Sequence, residues 1–161
     1  GIKMECDARH EPIVRALAAA GVVVCAHLGL LPQRAQQMGG YKAHGRTGDE
    51  AQRIVEDAAL LVRSGAEMLL LEAVPDEVSR RVHEQTACPL IGCGAGPSCD
   101  GHVVVLPDML GYNPRPPRFV EPLADIAGQV RAAAVRYREA IERKEYPAER
   151  HQYRMKAGER T

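Results

Sequence analysis

The chain has 161 residues, which is enough for one domain with a sizeable hydrophobic core. Hydrophobic residues make up 45% and charged residues 26%, and 21 basic residues balance 21 acidic ones. This composition is typical of a globular protein, and the lack of a basic run before the tail argues against nucleic-acid binding. No apolar stretch is long enough to cross a bilayer, and no secretory signal is recognisable.

Five short apolar runs predict β-strands. They are rich in aliphatic residues and are not interrupted by polar ones, which is typical of parallel strands that are covered on both faces. The runs are GIKMEC (1–6), GVVVCAHL (21–28), AEMLLLEA (66–73), CPLIGCG (88–94) and GHVVVLPD (101–108).

Helical segments separate most of these runs. The clearest lies within residues 46–67, where Thr47 and Glu50 form a T-x-x-E capping box and Gly65 ends the helix. Shorter helices are predicted within 12–21 and 76–86.

A long helix is predicted over residues 118–143. We expect its apolar residues to face the core: Phe119, Leu123, Ile126, Val130, Tyr137 and Ile141. The element order β-α-β-α-β-α-β-β-α predicts right-handed βα units and a parallel sheet.

Polar residues follow the carboxyl ends of all five predicted strands, where parallel α/β folds carry their chemistry. These residues are Lys3 and Glu5, His27, Glu72, the loop 92–101 and Asp108. Their recurrence favours a functional site over five ordinary loop starts. Glu72 itself, which follows MLLL directly, is open to two interpretations: a solvated loop residue or a carboxylate placed for function.

The glycine-rich loop GCGAG does not match a dinucleotide fingerprint, because Pro97 and Ser98 stand where the third glycine is required. A complete (β/α)8 barrel takes about 250 residues, or about 31 per unit, so this chain would hold about five units. The chain also starts at Gly1, within a strand pattern, and we therefore expect it to begin inside a domain.

The chain has five cysteines, an odd number, and no two of them form a C-x-x-C pair. They are Cys6, Cys25, Cys88, Cys93 and Cys99. This pattern favours free thiols in a reducing cytosol over disulfides or a zinc site, so we expect a cytoplasmic protein.

Several motifs together resemble the 3-methyl-2-oxobutanoate (ketopantoate) hydroxymethyltransferase family, in the family's order and spacing. The most specific are AHLGLLPQ (26–33) and GGYKAHGRT (39–47). The others are KMEC (3–6), LLLEAVP (69–75), IGCGAGPSCDGHVVVLPDMLG (91–111), PPRFV (116–120) and YPAERH (146–151).

The resemblance implies an α/β fold of the (β/α)8 TIM-barrel family, here a partial barrel of about five βα units, strands four to eight, with a long C-terminal helix. Residues 1–151 would form this partial barrel, and residues 152–161 would form a polar C-terminal tail. The full-length form is expected to be a homo-oligomer, without nucleic-acid or membrane partners.

The resemblance also implies the reaction: a hydroxymethyl group passes from 5,10-methylenetetrahydrofolate to 3-methyl-2-oxobutanoate and gives 2-dehydropantoate, with Mg²⁺ or another divalent cation as cofactor. Glu72 aligns with the catalytic base and Lys3 with a lysine that binds the substrate. Glu5 aligns with a metal ligand. His27 aligns with a histidine near the substrate, and a purely structural role for it stays open.

This chain departs from the family at several positions. Two aspartate ligands from earlier strands are absent, and neither Asp7, which we expect to cap the first helix, nor Asp108, expected in the loop after the last strand, is a good replacement. Cys6 and Asp7 replace glycines, and Pro107 replaces a histidine. Two other functions remain as alternatives: a non-catalytic barrel fragment, or a metal-dependent 2-oxo acid enzyme of the isocitrate lyase and phosphoenolpyruvate mutase group.

Overall fold

The structure is a computed structural model and describes residues 1–37 and 39–159. The strands are β1 (Ile2–Glu5), β2 (Val24–Gly29), β3 (Met68–Glu72), β4 (Leu90–Cys93) and β5 (Gly101–His102). The α-helices are α1 (Glu11–Ala19), α2 (Gly48–Arg63), α3 (Asp76–Gln85), α4 (Leu106–Met109) and α5 (Ile126–Glu142). Short 3₁₀ turns occupy Ala8–His10, Pro32–Arg34 and Glu149–His151. The chain forms two compact units that divide after Val104.

The first unit contains a five-stranded sheet in the order β1-β2-β3-β4-β5, and all neighbouring strands are parallel. The predicted α/β class with a parallel sheet is therefore confirmed. Each strand pairs with its neighbour in the sequence, so the described sheet has no point at which the strand order reverses.

The last strand is much shorter than predicted. We expected a strand over residues 101–108, but β5 ends at His102 and α4 starts at Leu106. Pro107 explains part of the difference, because it lacks the N–H that a strand ladder requires and its fixed φ suits the first turn of a helix.

The hydrophobic core lies between one face of the sheet and the helices α1, α2 and α3. One row of register partners on this face is Met4, Ala26, Leu69 and Leu90. The helices cover the face with Val14, Val55, Ala58, Leu61, Val78 and Val82. Side chains alternate between the faces of a strand, so the residues between the core positions point to the opposite face.

The start of α2 confirms the predicted cap in part. The Thr47 hydroxyl accepts a hydrogen bond from the Glu50 backbone N–H at 3.3 Å. The Glu50 carboxylate accepts instead from the backbone N–H groups of Gly45 and Arg46. It therefore binds the preceding loop and does not complete the capping box by accepting from the Thr47 N–H.

In the second unit, α5 starts at Ile126, eight residues later than predicted at 118. Asp125 sets this start, because its side chain accepts from the Gly128 N–H at 2.8 Å. The prediction that the apolar residues of this segment face the core is wrong. Ile126 is partly exposed, and the other five are exposed: Phe119, Leu123, Val130, Tyr137 and Ile141. Helical spacing identified an apolar stripe but could not show that anything covers it.

Among the described residues, no helix is both long and apolar enough to cross a membrane.

Candidate active site

The sheet face opposite the helices carries the polar residues that the sequence singled out. Lys3 and Glu5 occupy alternate positions of β1, and Glu5 is the register partner of His27 in β2. Glu72 is the register partner of Gly29, two residues after His27. Because register partners in a parallel sheet point the same way, all four side chains share one face. We call Lys3, Glu5, His27 and Glu72 the polar face.

Three of these residues form a line across three neighbouring strands. The Lys3 ammonium nitrogen lies 3.1 Å from His27 Nδ1, and His27 Nε2 lies 3.2 Å from Glu72 Oε2. His27 is only 1% exposed, and the Glu72 side chain is 17% exposed. His27 Nε2 has no hydrogen bond of good geometry, so the carboxylate lies beside the imidazole but out of line with an Nε2–H bond.

Glu72 is the last residue of β3 and is not part of the following loop. The chain turns immediately after it, because Ala73 adopts a left-handed conformation with φ of 51°. Hydrogen bonds hold both sides of this turn: the Leu30 N–H donates to the Glu72 carbonyl at 2.8 Å, and the Ala73 N–H donates to the Cys93 carbonyl at 2.9 Å. The carboxylate is therefore carried by a fixed backbone rather than by a mobile loop.

Glu5 has one satisfied and one unsatisfied oxygen. Its Oε1 accepts from the backbone N–H of Gln33 at 3.1 Å. Its Oε2 is buried and has no hydrogen-bond partner within the described residues. A buried carboxylate oxygen without a donor is costly, and a cation is one of the groups that can remove the cost.

Asp7 does not join the polar face, and Asp108 belongs to the second unit. Asp7 caps the 3₁₀ turn that precedes α1, accepting from the Arg9 N–H at 3.0 Å. Hydrogen bonding from the Arg9 guanidinium lowers the pKa of Asp7 to about 2. Asp108 lies in α4, not in a loop as expected, and accepts from the Asn113 side-chain amide at 2.8 Å.

The five cysteines, all of them in the described part of the chain, form no disulfide, as predicted. Burial raises the pKa of Cys6 to about 11, and burial also raises the pKa values of Cys25, Cys88 and Cys99. These four thiols are protonated at neutral pH, which makes them poor nucleophiles.

A separate cavity of about 290 Å³ lies beside the start of α2. Its polar lining consists of Asp7, His44, Glu50, Arg53 and Asp57, and none of the four polar-face residues reaches it. Burial raises the pKa of Asp57. Because Asp7 and Glu50 are already engaged by neighbouring donors, we place the candidate site on the polar face and not in this cavity.

Two residues of the site were missed by the sequence reasoning. Gln33 supplies its backbone N–H to Glu5, and Gly29 allows β2 to approach the Glu72 carbonyl. Both lie inside the AHLGLLPQ motif, and a glycine directly after an apolar strand was the available signal for the close approach.

Comparison with known proteins adds the family. The sequence model of the family described as ketopantoate hydroxymethyltransferase matches residues 1–149. The chain belongs to the ketopantoate hydroxymethyltransferase family.

Relatives named 3-methyl-2-oxobutanoate hydroxymethyltransferase cover nearly all of the chain. The protein of Chromohalobacter salexigens is 48% identical over 139 residues, which are 86% of this chain and 53% of that protein. The protein of Alkalilimnicola ehrlichii is 42% identical over 94% of this chain and 55% of its own length. The protein of Cenarchaeum symbiosum is 40% identical over 98% of this chain and 61% of its own length. The chain thus spans about half the length of the curated relatives that it matches.

Proposed function

We propose that the full-length protein containing this chain transfers a hydroxymethyl group from 5,10-methylenetetrahydrofolate to 3-methyl-2-oxobutanoate, giving 2-dehydropantoate. Family membership supports the reaction class. The observation that carries the assignment is the polar face itself, where a lysine and a carboxylate lie on either side of one buried histidine.

We propose that the fold is part of a (β/α)8 barrel. With right-handed connections, strands that follow one another in sequence order place all their helices on the same side of the sheet. The core residues of α1, α2 and α3 pack against one sheet face, in agreement with that rule. In a barrel the other face is the interior, and the ends of its strands carry the chemistry.

Each residue of the polar face has a role in this proposal. Glu72 is the base that takes the proton from C3 of the keto acid. The electron pair of that C–H bond then attacks the methylene carbon of the folate, the two bonds from that carbon to folate nitrogens break, and water supplies the hydroxyl group as tetrahydrofolate leaves. Lys3 binds the keto acid, because its ammonium group suits a carboxylate. His27 lies between them and contacts both.

Glu5 is the residue that would hold a metal ion. Its buried, unpartnered Oε2 is a hard oxygen ligand of the kind that Mg²⁺ prefers. In the described part of the chain, no three His, Cys, Asp or Glu side chains come together as a metal site. Glu5 would then be one ligand among waters, substrate oxygens and side chains of the full-length protein outside residues 1–161, a mixture that is usual for Mg²⁺. When bound, the ion would act as a Lewis acid on the keto acid oxygens.

The test uses the full-length protein. We expect it to exchange the C3 proton of 3-methyl-2-oxobutanoate for deuterium in D₂O, which proton NMR measures without the second substrate. Adding 5,10-methylenetetrahydrofolate should then give 2-dehydropantoate. A folded full-length protein that shows neither exchange nor product would contradict the proposal.

A further inference from the structure

We infer that Lys3 fixes the tautomer of His27, and that His27 in turn acts as a positioning residue for the Glu72 carboxylate. The inference deepens the proposed function, because it assigns His27 to the base rather than to the substrate. It rests on the two nitrogen contacts of one buried imidazole.

The first contact sets the tautomer. A lysine ammonium group has three donors and no acceptor, so the partner atom must accept. The Lys3 nitrogen lies 3.1 Å from His27 Nδ1, and Nδ1 must therefore be unprotonated there. A neutral imidazole with a bare Nδ1 carries its proton on Nε2.

The second contact shows what this proton faces. His27 Nε2 lies 3.2 Å from Glu72 Oε2, and a carboxylate offers only acceptors. The opposite tautomer would put a nitrogen lone pair against the carboxylate and a proton against the ammonium group, which is repulsive on both sides. The charges of Lys3 and Glu72 thus select the same tautomer.

The burial of His27 makes the choice of tautomer important. His27 is 1% exposed, so water cannot supply a replacement partner for either nitrogen. The Nε2–H is not yet aligned with Glu72, and such bonds often become linear only when the substrate is bound. With Nδ1 occupied by Lys3, His27 has no free site for a further proton and is not itself the base. It holds the Glu72 carboxylate on the polar face instead.

The direct test is the protonation state of each His27 nitrogen. We would label the histidines of the full-length protein with ¹⁵N and record two-bond proton–nitrogen correlations, assigning His27 by the signal that disappears in His27→Gln. We expect protonated Nε2 and unprotonated Nδ1 in the wild type. A protonated Nδ1, alone or together with Nε2, would overturn the inference without any enzyme assay.

Two Lys3 variants test whether Lys3 fixes the tautomer of His27. Lys3→Arg keeps a charged donor without an acceptor, so the single tautomer should persist. Lys3→Met keeps the apolar stem and removes the donor, so only Glu72 still favours the Nε2–H tautomer, and the share of that tautomer should fall. An unchanged pattern in Lys3→Met would show that Lys3 does not fix the ring.

The kinetic test separates positioning from substrate binding. His27→Leu should lower kcat for C3 proton exchange about 10- to 100-fold with little change in KM, as expected for losing a hydrogen bond to a charged group. His27→Gln retains an amide donor and should recover part of that loss, whereas His83→Gln, at an exposed histidine paired with Asp100, is the unaffected control. A loss confined to KM would overturn the inference. Absence of exchange in the wild type, with the expected tautomer, would instead contradict the proposed function alone.

Discussion

Gly29 lies so close to the carbonyl oxygen of Glu72 that a β-carbon added to Gly29 would be only 2.4 Å from that oxygen. The same carbonyl accepts the Leu30 N–H at 2.8 Å. The end of β2 and the end of β3 are therefore held together at the residue that carries the candidate base.

We expect Gly29→Ala to destabilise the protein by at least about 2 kcal/mol, because it combines an unfavourable backbone conformation with a forced displacement of the Glu72 backbone. Gly29 has a φ of 90°, which side-chain-bearing residues rarely adopt. Urea unfolding measures the loss, and proton exchange by the full-length protein should fall with it.

Gly21→Ala is the matched control. Gly21 also has a positive φ, 75°, but an added β-carbon would meet no atom within 4 Å. Its cost should be about 1 kcal/mol, from the backbone alone. Equal losses in the two variants would mean that the contact with Glu72 adds nothing.

Glu72→Gln should retain keto acid binding and lower C3 proton exchange about 10²- to 10⁴-fold, because it keeps the shape of the side chain and removes the base. Deuterium incorporation followed by NMR measures the step. Glu77→Gln, at an exposed position in the first turn of α3, is the control and should exchange at the wild-type rate. Undiminished exchange in Glu72→Gln would remove Glu72 from the role.

Glu5→Gln should weaken Mg²⁺ binding and lower activity together. The amide oxygen can still accept from the Gln33 N–H, while the buried Oε2, which has no partner, becomes a donor that repels a cation. Calorimetric titration with Mg²⁺ provides the affinity, and Glu67→Gln at an exposed position provides the comparison. If both variants bind Mg²⁺ equally well, Glu5 is not a metal ligand, and its role is limited to accepting the hydrogen bond from the Gln33 N–H.

Asp7 should give the protein a stability increment that disappears in acid. Hydrogen bonding from Arg9 lowers the pKa of Asp7 to about 2, below the value of about 3.9 in an unfolded chain. The increment is therefore complete above about pH 4 and is lost as the pH falls towards 2. Because the Arg9 side chain is 78% exposed, we expect only about 1 kcal/mol between wild type and Asp7→Asn at neutral pH. A difference in unfolding free energy that stays constant from pH 6 to pH 2.5 would contradict the assignment.

Residues 1–161 produced alone should self-associate. β1 lies at one end of the described sheet, and its first residue, Ile2, is 43% exposed. Such an edge offers unpaired backbone groups to other chains, and a charge placed on it opposes pairing. Size-exclusion chromatography with light scattering should find oligomers, and Ile2→Lys should shift them towards monomer. A monodisperse wild-type monomer would show that the edge is protected.

The elements that have their own local signal could be predicted from the sequence. Thr47 and Gly65 mark the two ends of α2, because a capping residue and a residue in the left-handed conformation bind backbone groups within one helical turn. The exposure of Leu123 and Tyr137 could not be predicted, because burial depends on partners distant in the sequence. The same limit applies to the site: strand-end positions indicated Glu72 and His27, but only the register of β2 and β3 brings the two side chains within 3.2 Å.

The alternation of side chains along β3 makes the length of this strand more critical than its composition. Leu71 lies in the core and Glu72 on the polar face, one residue apart. Inserting or deleting one residue within the strand would exchange the two faces, driving a carboxylate among the aliphatic residues of α2 and α3 and presenting a leucine to His27. Homologous proteins can therefore exchange one aliphatic residue for another between Met68 and Leu71, whereas gains and losses of residues should be confined to the connections outside the strand.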